Sequence, residues 1–67
     1  MSKRKERIKD ILRNSDKPMG VEPIRVKAEI GVWASALAHC LELVLLGEIK
    51  GFDTGSGWVF WIDGGGV

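Results

Sequence analysis

The chain has 67 residues, of which 45% are hydrophobic and 28% charged, with a net charge of +1. This length predicts one small domain without room for a large cofactor cleft. The composition is too apolar for an intrinsically disordered protein. The longest apolar stretch, residues 30–46, is interrupted by Ser35, His39 and Glu42. It falls short of the roughly 18 apolar residues that a membrane span needs, so we expect a soluble protein without a membrane partner.

Several classes of function are disfavoured by what the sequence lacks. No apolar segment follows the basic start, which argues against a secretory signal and favours a cytoplasmic location. Cys40 and His39 are the only residues of their types, so we expect no disulfide, no metal site and no cofactor. Cys40 is expected to behave as a small buried hydrophobe. The sequence contains no nucleophile–base set and no phosphate loop, and we therefore expect neither an enzyme nor a small-molecule substrate.

Charge is distributed unevenly along the chain. Residues 1–17 hold seven bases against three acids, a net charge of +4, whereas residues 18–67 hold three bases against six acids, a net charge of −3. A concentrated basic segment of this kind is either a solvated surface or an electrostatic footprint for a polyanion.

The first predicted element is a helix from Lys3 to Asn14. Its apolar residues recur at helical spacing and form a narrow stripe on an otherwise charged surface: Ile8, Ile11 and Leu12. Ser2 is a suitable N-cap. Residues 15–18 end the helix, and Pro18 favours a short extended segment through Met19.

A second helix is predicted from Glu22, because Pro23 suits the first helical turn. Gly31 is expected to end it as the C-terminal glycine, and three residues are expected to face inward: Ile24, Ala28 and Ile30. A third helix is predicted over 33–46, with Gly47 at its end.

Beyond Gly47 the apolar period changes from 3.6 to 2, which predicts a β-hairpin of residues 48–52 and 58–62 joined by a turn at 53–57. Residues 63–67 are expected to fray. In the second strand, we expect Phe60 and Ile62 inside, Trp58 partly covered, and Trp61 exposed. The simpler alternative is that both tryptophans cover the small core.

The order of these elements resembles the winged helix-turn-helix superfamily over about residues 3–62, an α+β fold. The resemblance is carried by residues 24–31, the turn at 31–32, the helix at 33–46 and the hairpin with its tip at 55–57. It implies that the third helix lies in the DNA major groove while the second helix and the wing contact phosphates.

The third helix departs from the DNA-binding pattern of that superfamily. Its polar strip is only about 60° wide and consists of Ser35, His39 and Glu42. The strip holds no Lys, Arg, Asn or Gln, the residues that make bidentate contacts to guanine and adenine. We therefore expect poor direct base recognition.

The first functional hypothesis is a duplex DNA-binding regulator that relies on phosphate contacts and whose affinity falls steeply with salt. Its expected nucleic-acid contacts lie on all three helices and the wing: Lys3, Arg4, Lys5, Arg25, Lys27, Trp33, Ser35, Ala38, His39, Lys50 and Trp58. Two of these have simpler alternatives, because Trp33 also suits packing between helices and His39 also suits an ordinary surface position.

The second hypothesis is a winged-helix module for protein interaction or assembly, without DNA binding. It is favoured if Arg25, Lys27 and Lys50 do not share a face with Ser35 and His39. A homodimer is compatible with either function, because the third helix is apolar over roughly 220° of its circumference. Leu41, Leu45 and Trp61 are the residues expected at the dimer interface.

Overall fold

The computed structural model describes residues 3–62. It contains three helices and three strands, in the order α1 (Lys3–Arg13), β1 (Met19–Gly20), α2 (Val21–Lys27), α3 (Trp33–Leu45), β2 (Lys50–Asp53) and β3 (Trp58–Trp61). The predicted α+β class and element order are confirmed, with boundaries that differ from the prediction by at most four residues. The proposed Ser2 cap and the tail at 63–67 lie outside the described residues.

The three strands form one antiparallel sheet in the order β1-β3-β2. Phe60 of β3 pairs with Met19 on one side and with Gly51 on the other. Side chains alternate between the two faces of a strand, so these three residues share the inner face, which packs against the helices. The outer face carries the alternate residues of the hairpin: Lys50, Phe52, Val59 and Trp61.

One hydrophobic core connects the inner face of the sheet with all three helices. Its largest fully buried side chains come from α1, α2, the turn after α2, α3 and β3: Ile8, Ile24, Ile30, Leu43, Cys40 and Phe60. The three predicted inward residues of the second helix, Ile24, Ala28 and Ile30, are all buried. Among residues 3–62 no polar or charged residue is buried in this core.

The end of α2 differs from the prediction. The residue in the left-handed conformation is Glu29, with φ 58°, and Gly31 has no such angle. The amide of Ile30 donates to the carbonyl of Arg25 at 3.0 Å, and that of Glu29 donates to Val26 at 3.2 Å. This is a Schellman ending, for which glycine is usual. It places Ile30 in the core, which outweighs the conformational preference of Glu29.

α3 ends in the same motif, here with the predicted glycine. Gly47 has φ 77°, and the amide of Glu48 donates to the carbonyl of Leu43 at 2.9 Å. The helix itself ends at Leu45, one residue before the predicted end. The ends of α2 and α3 thus have the same hydrogen-bond pattern. Only the end of α3 could be predicted from the position of a glycine in the sequence.

The tryptophans and Ile62 depart in part from the predicted faces. Phe60 is fully buried and Trp58 half-buried, as expected. Trp61, expected to be exposed, is half-buried, because it lines a cleft with Leu12 and Pro18 beside the segment that enters β1. Ile62 is only partly buried at the end of the sheet.

We expect replacement of Glu29 by glycine to raise the free energy of unfolding by about 1 kcal/mol, because a side chain in the left-handed region costs roughly that much. Glu29→Gln keeps the conformational strain and removes only the charge, so it is the matched control. Urea denaturation of both variants measures the difference. Equal stability of the two would show that Glu29 carries no strain.

We expect Gly51→Ala to destabilise the protein by about 1–3 kcal/mol through overpacking. A Cβ at Gly51 would lie 2.8 Å from Cδ1 of Phe60 and 3.0 Å from Cγ2 of Val44. Gly57→Ala, in the same hairpin, has no atom within 4 Å of the new Cβ. Thermal and urea unfolding should therefore separate the two variants, and similar losses in both would contradict the close packing at Gly51.

Candidate functional site

The outer face of α3 is an apolar stripe of Ala34, Ala38, Leu41 and Leu45. Their spacing of four, three and four residues places them on one side of the helix. The opposite side holds Ala36, Cys40 and Leu43, which are buried. Ala34 and Ala38 are exposed, Leu41 is half-buried, and Leu45 is 87% exposed. The middle of the side of α3 that is turned away from the core is therefore apolar, and the exposed Glu42 lies at its edge.

The polar strip of α3 lies beside that stripe and is engaged by α1. Nζ of Lys5 lies 3.1 Å from Oε1 of Glu42, and Nδ1 of His39 lies 3.7 Å from the same oxygen. Lys5 is the main cause, and His39 a smaller one, of a pKa of Glu42 below its ordinary value of 4.5. Both ring nitrogens of His39 are shielded from solvent without a hydrogen bond, and Ser35 is half-buried.

Three of the six basic residues of α1 pair with acids elsewhere in the chain. Besides the Lys5–Glu42 pair, Lys9 bonds Glu48, which follows α3. Arg7 lies 3.7 Å from Glu29. Hydrogen bonding to Glu48 is the main cause of a pKa of Lys9 above 10.5. The charge asymmetry seen in the sequence thus becomes a set of contacts between α1 and the ends of α2 and α3.

Arg25 and Lys50, also expected to contact phosphate, are placed differently in the structure. The guanidinium of Arg25 donates to both carboxylate oxygens of Glu22 and, at 3.2 Å, to the carbonyl of Ile30. The hydrogen bonds from Arg25 lower the pKa of Glu22. Lys50 lies opposite Trp61 on the outer face of the sheet, whereas α3 packs on the inner face. Lys50 therefore does not share a face with Ser35 and His39, and the guanidinium of Arg25 is bonded within the fold.

A second feature is a cleft lined by Lys3, Arg4, Arg7, Ala28 and Glu29, which we call the basic cleft. It has a volume of about 240 Å³ and lies where the start of α1 meets the end of α2. Lys27, which is exposed, directly precedes its Ala28 wall. Within residues 3–62, neither Lys3, Arg4 nor Lys27 forms an ion pair. Sequence reasoning selected these three but missed Arg7 and Glu29, whose proximity depends on the Schellman turn.

Trp33 and Trp58 both line a third feature, a shallow cleft of about 250 Å³ beside Pro23 and the tip of the β2–β3 hairpin. Trp33 is 50% exposed and does not fill the space between α2 and α3. Trp58 stacks on Phe60 with a centroid distance of 5.8 Å and an interplanar angle of 7°. One face of the Trp58 ring is thereby occupied within the fold.

The expected dimer residues do not form one surface. Leu41 and Leu45 lie on the outer face of α3, whereas Trp61 lies on the sheet face that is turned away from α3. Trp61 has Phe52, 60% exposed, as a neighbour on that face. Phe52 was not among the residues expected at an interface, although the period-2 alternation of the hairpin places it opposite Val59 and outside the core.

Cys40 is fully buried in the core. Burial raises the pKa of its thiol to about 11, so the reactive thiolate is scarce at neutral pH. Within residues 3–62 no cluster of three or more His, Cys, Asp or Glu side chains has the geometry to hold a metal ion.

Comparison with protein-family models, curated proteins and solved structures finds no match to this chain. None of the helices in the described part of the chain is both long and apolar enough to cross a membrane. The described residues form an α+β fold of three helices and a three-stranded antiparallel sheet, which is compatible with a winged-helix arrangement.

Glu42→Gln should make the stability of the protein less sensitive to acid. Because the pKa of Glu42 is lowered in the folded state, its contribution is present above about pH 4.5 and is lost as the pH falls through the folded-state value. Urea denaturation between pH 3 and 7 measures the slope. Asp16→Asn is the control, since Asp16 forms no ion pair within residues 3–62. A Glu42→Gln slope identical to that of the wild type would contradict the Lys5–Glu42 contact.

Proposed function

We propose that this chain is a winged-helix-like module that binds another protein chain through the outer face of α3. The observation that carries the proposal is the chemistry of that face, which consists of two alanines and two leucines without a hydrogen-bonding side chain. An apolar surface stripe that the fold leaves uncovered is typical of a protein interface. It supplies desolvation and shape complementarity, which drive protein association.

The same chemistry argues against base recognition by α3. A recognition helix reads DNA by hydrogen bonds to base edges, and an alanine or leucine contributes at most an apolar contact to the thymine methyl group. The polar side chains Ser35 and His39 are half-buried, and Glu42 is paired with Lys5. Moving Glu42 into a groove would break its contact with Lys5 of α1.

The basic cleft supports a second candidate function, sequence-independent binding of duplex DNA. Lys3, Arg4 and Lys27 form no ion pair within residues 3–62, and Arg7 shares the cleft with a single carboxylate. A cluster of this size neutralises only a few phosphates, so its affinity would be weak and strongly dependent on salt. This mode uses the end of the α1–α2 pair and leaves the outer face of α3 available.

Fluorescence anisotropy with labelled random duplex DNA, at about 50 mM salt and at several higher concentrations, tests two claims. The first is that the outer face of α3 does not contact DNA, and the second is that the basic cleft does. Ala38→Glu places a charge in the centre of the outer face of α3, and Asn14→Glu makes a charged substitution at an exposed position after α1. We expect both variants to bind DNA like the wild type, and Lys3→Glu/Arg4→Glu to lose any binding that is seen.

Tight wild-type binding that Ala38→Glu reduces more than tenfold and Asn14→Glu does not would show that α3 contacts DNA, and would overturn the proposed function. Absence of all DNA binding at about 50 mM salt would remove only the second candidate function.

A further inference from the structure

We infer that the partner of the outer face of α3 is a second copy of this chain, packed with the two α3 helices antiparallel about a two-fold axis. This inference rests on the proposed function, because it names the occupant of the same surface. It starts from the order of residue sizes along the stripe. The alanines occupy the N-terminal half, at positions 34 and 38, and the leucines the C-terminal half, at positions 41 and 45.

An antiparallel two-fold axis between positions 39 and 40 makes this stripe complementary to itself. It sets Ala34 against Leu45 of the partner copy and Ala38 against Leu41 of the partner copy, and symmetry repeats both contacts. Every leucine then enters the space above an alanine, which is the large-against-small alternation that close packing of two helices requires. A parallel pair would instead set leucine against leucine and leave a gap between the alanines.

Charge favours the same orientation. Glu42 borders the stripe, and a parallel pair would bring the two Glu42 carboxylates level with each other. In the antiparallel pair they are offset by five residues, about 7.5 Å along the helix axis. The pairing of Glu42 with Lys5 on its own α1 means that the interface rim holds no unpaired carboxylate. Antiparallel helix dipoles also attract each other weakly.

The available area fits a weak, reversible dimer. Leu45 is 87% exposed and the two alanines on the same face are exposed, whereas Leu41 is half-buried. A stripe of four small or medium-sized side chains lies at the lower end of specific interfaces, where complexes are weak or transient. We therefore expect a dissociation constant on the order of 10–100 μM.

Sedimentation velocity from about 1 μM to 1 mM tests the inference with a reciprocal exchange of side-chain size. Leu45→Ala removes the larger member of the outer contact, and Ala34→Leu fills the space that it enters. Each single variant should weaken dimerisation about tenfold or more. The double variant Ala34→Leu/Leu45→Ala restores one large and one small residue at each contact, so it should dimerise within a few-fold of the wild type.

Both positions are exposed, so the variants should fold, and circular dichroism checks this. Val26→Ala, at an exposed apolar position of α2, is the control and should dimerise like the wild type. A dimer that the double variant fails to restore would overturn the antiparallel arrangement. A wild type that stays monomeric to 1 mM would overturn the second copy as partner, whereas the proposed function is overturned separately, by the effect of Ala38→Glu on DNA binding.

Discussion

The structure depends on how a chain of this size covers one long apolar helix. α3 is apolar around most of its circumference, and the described residues offer two other helices and a three-stranded sheet to pack against it. The core covers the side that carries Ala36, Cys40 and Leu43. The acid–base contacts of α1 occupy the polar flank. What remains is the outer face, and its chemistry determines which partners the molecule can bind.

The ion pairs of α1 affect both the stability of the fold and the charge that is available for binding a partner. A basic N-terminal segment is ordinarily evidence for a polyanionic partner. In this chain, Lys5, Arg7 and Lys9 face Glu42, Glu29 and Glu48, so part of the positive charge is used to hold α1 against α2 and α3. Such partly exposed pairs contribute modestly to stability. Their larger effect is to leave the basic cleft as a small local surface rather than a continuous stripe.

Much of the fold could be predicted from the sequence, because its signals are local. The periodicity of Ile8 and Leu12, the proline before β1, the glycine after α3 and the alternation of the hairpin all act within a few residues. The end of α2 could not be located in this way, since Glu29 takes a conformation that glycine usually adopts. The sequence predicts the burial of Ile30 as part of a longer helix, but it does not reveal that a turn at Glu29 brings this residue into the core after α2 has ended.

The candidate site was less predictable, for the same reason. The helical wheel identified which residues of α3 are apolar, but not which part of the wide apolar arc the core would leave open. Lys5, Arg25 and Lys50 had the charge of phosphate ligands, yet only tertiary placement shows that the first two bond within the fold and the third lies on the far side of the sheet. Strand alternation predicts an exposed Trp61. It does not reveal the cleft beside Pro18, whose walls come from segments that are distant in sequence and which half-buries this side chain.

The burial of Cys40 has a consequence for the lifetime of any complex. A sulfur enclosed by the core, whose thiolate is scarce at neutral pH, is a poor target for oxidants and for thiol exchange. The proposed association between copies would then depend on concentration and not on the redox state of the surroundings. Such a complex would associate and dissociate as the protein concentration changes, without reduction of a disulfide.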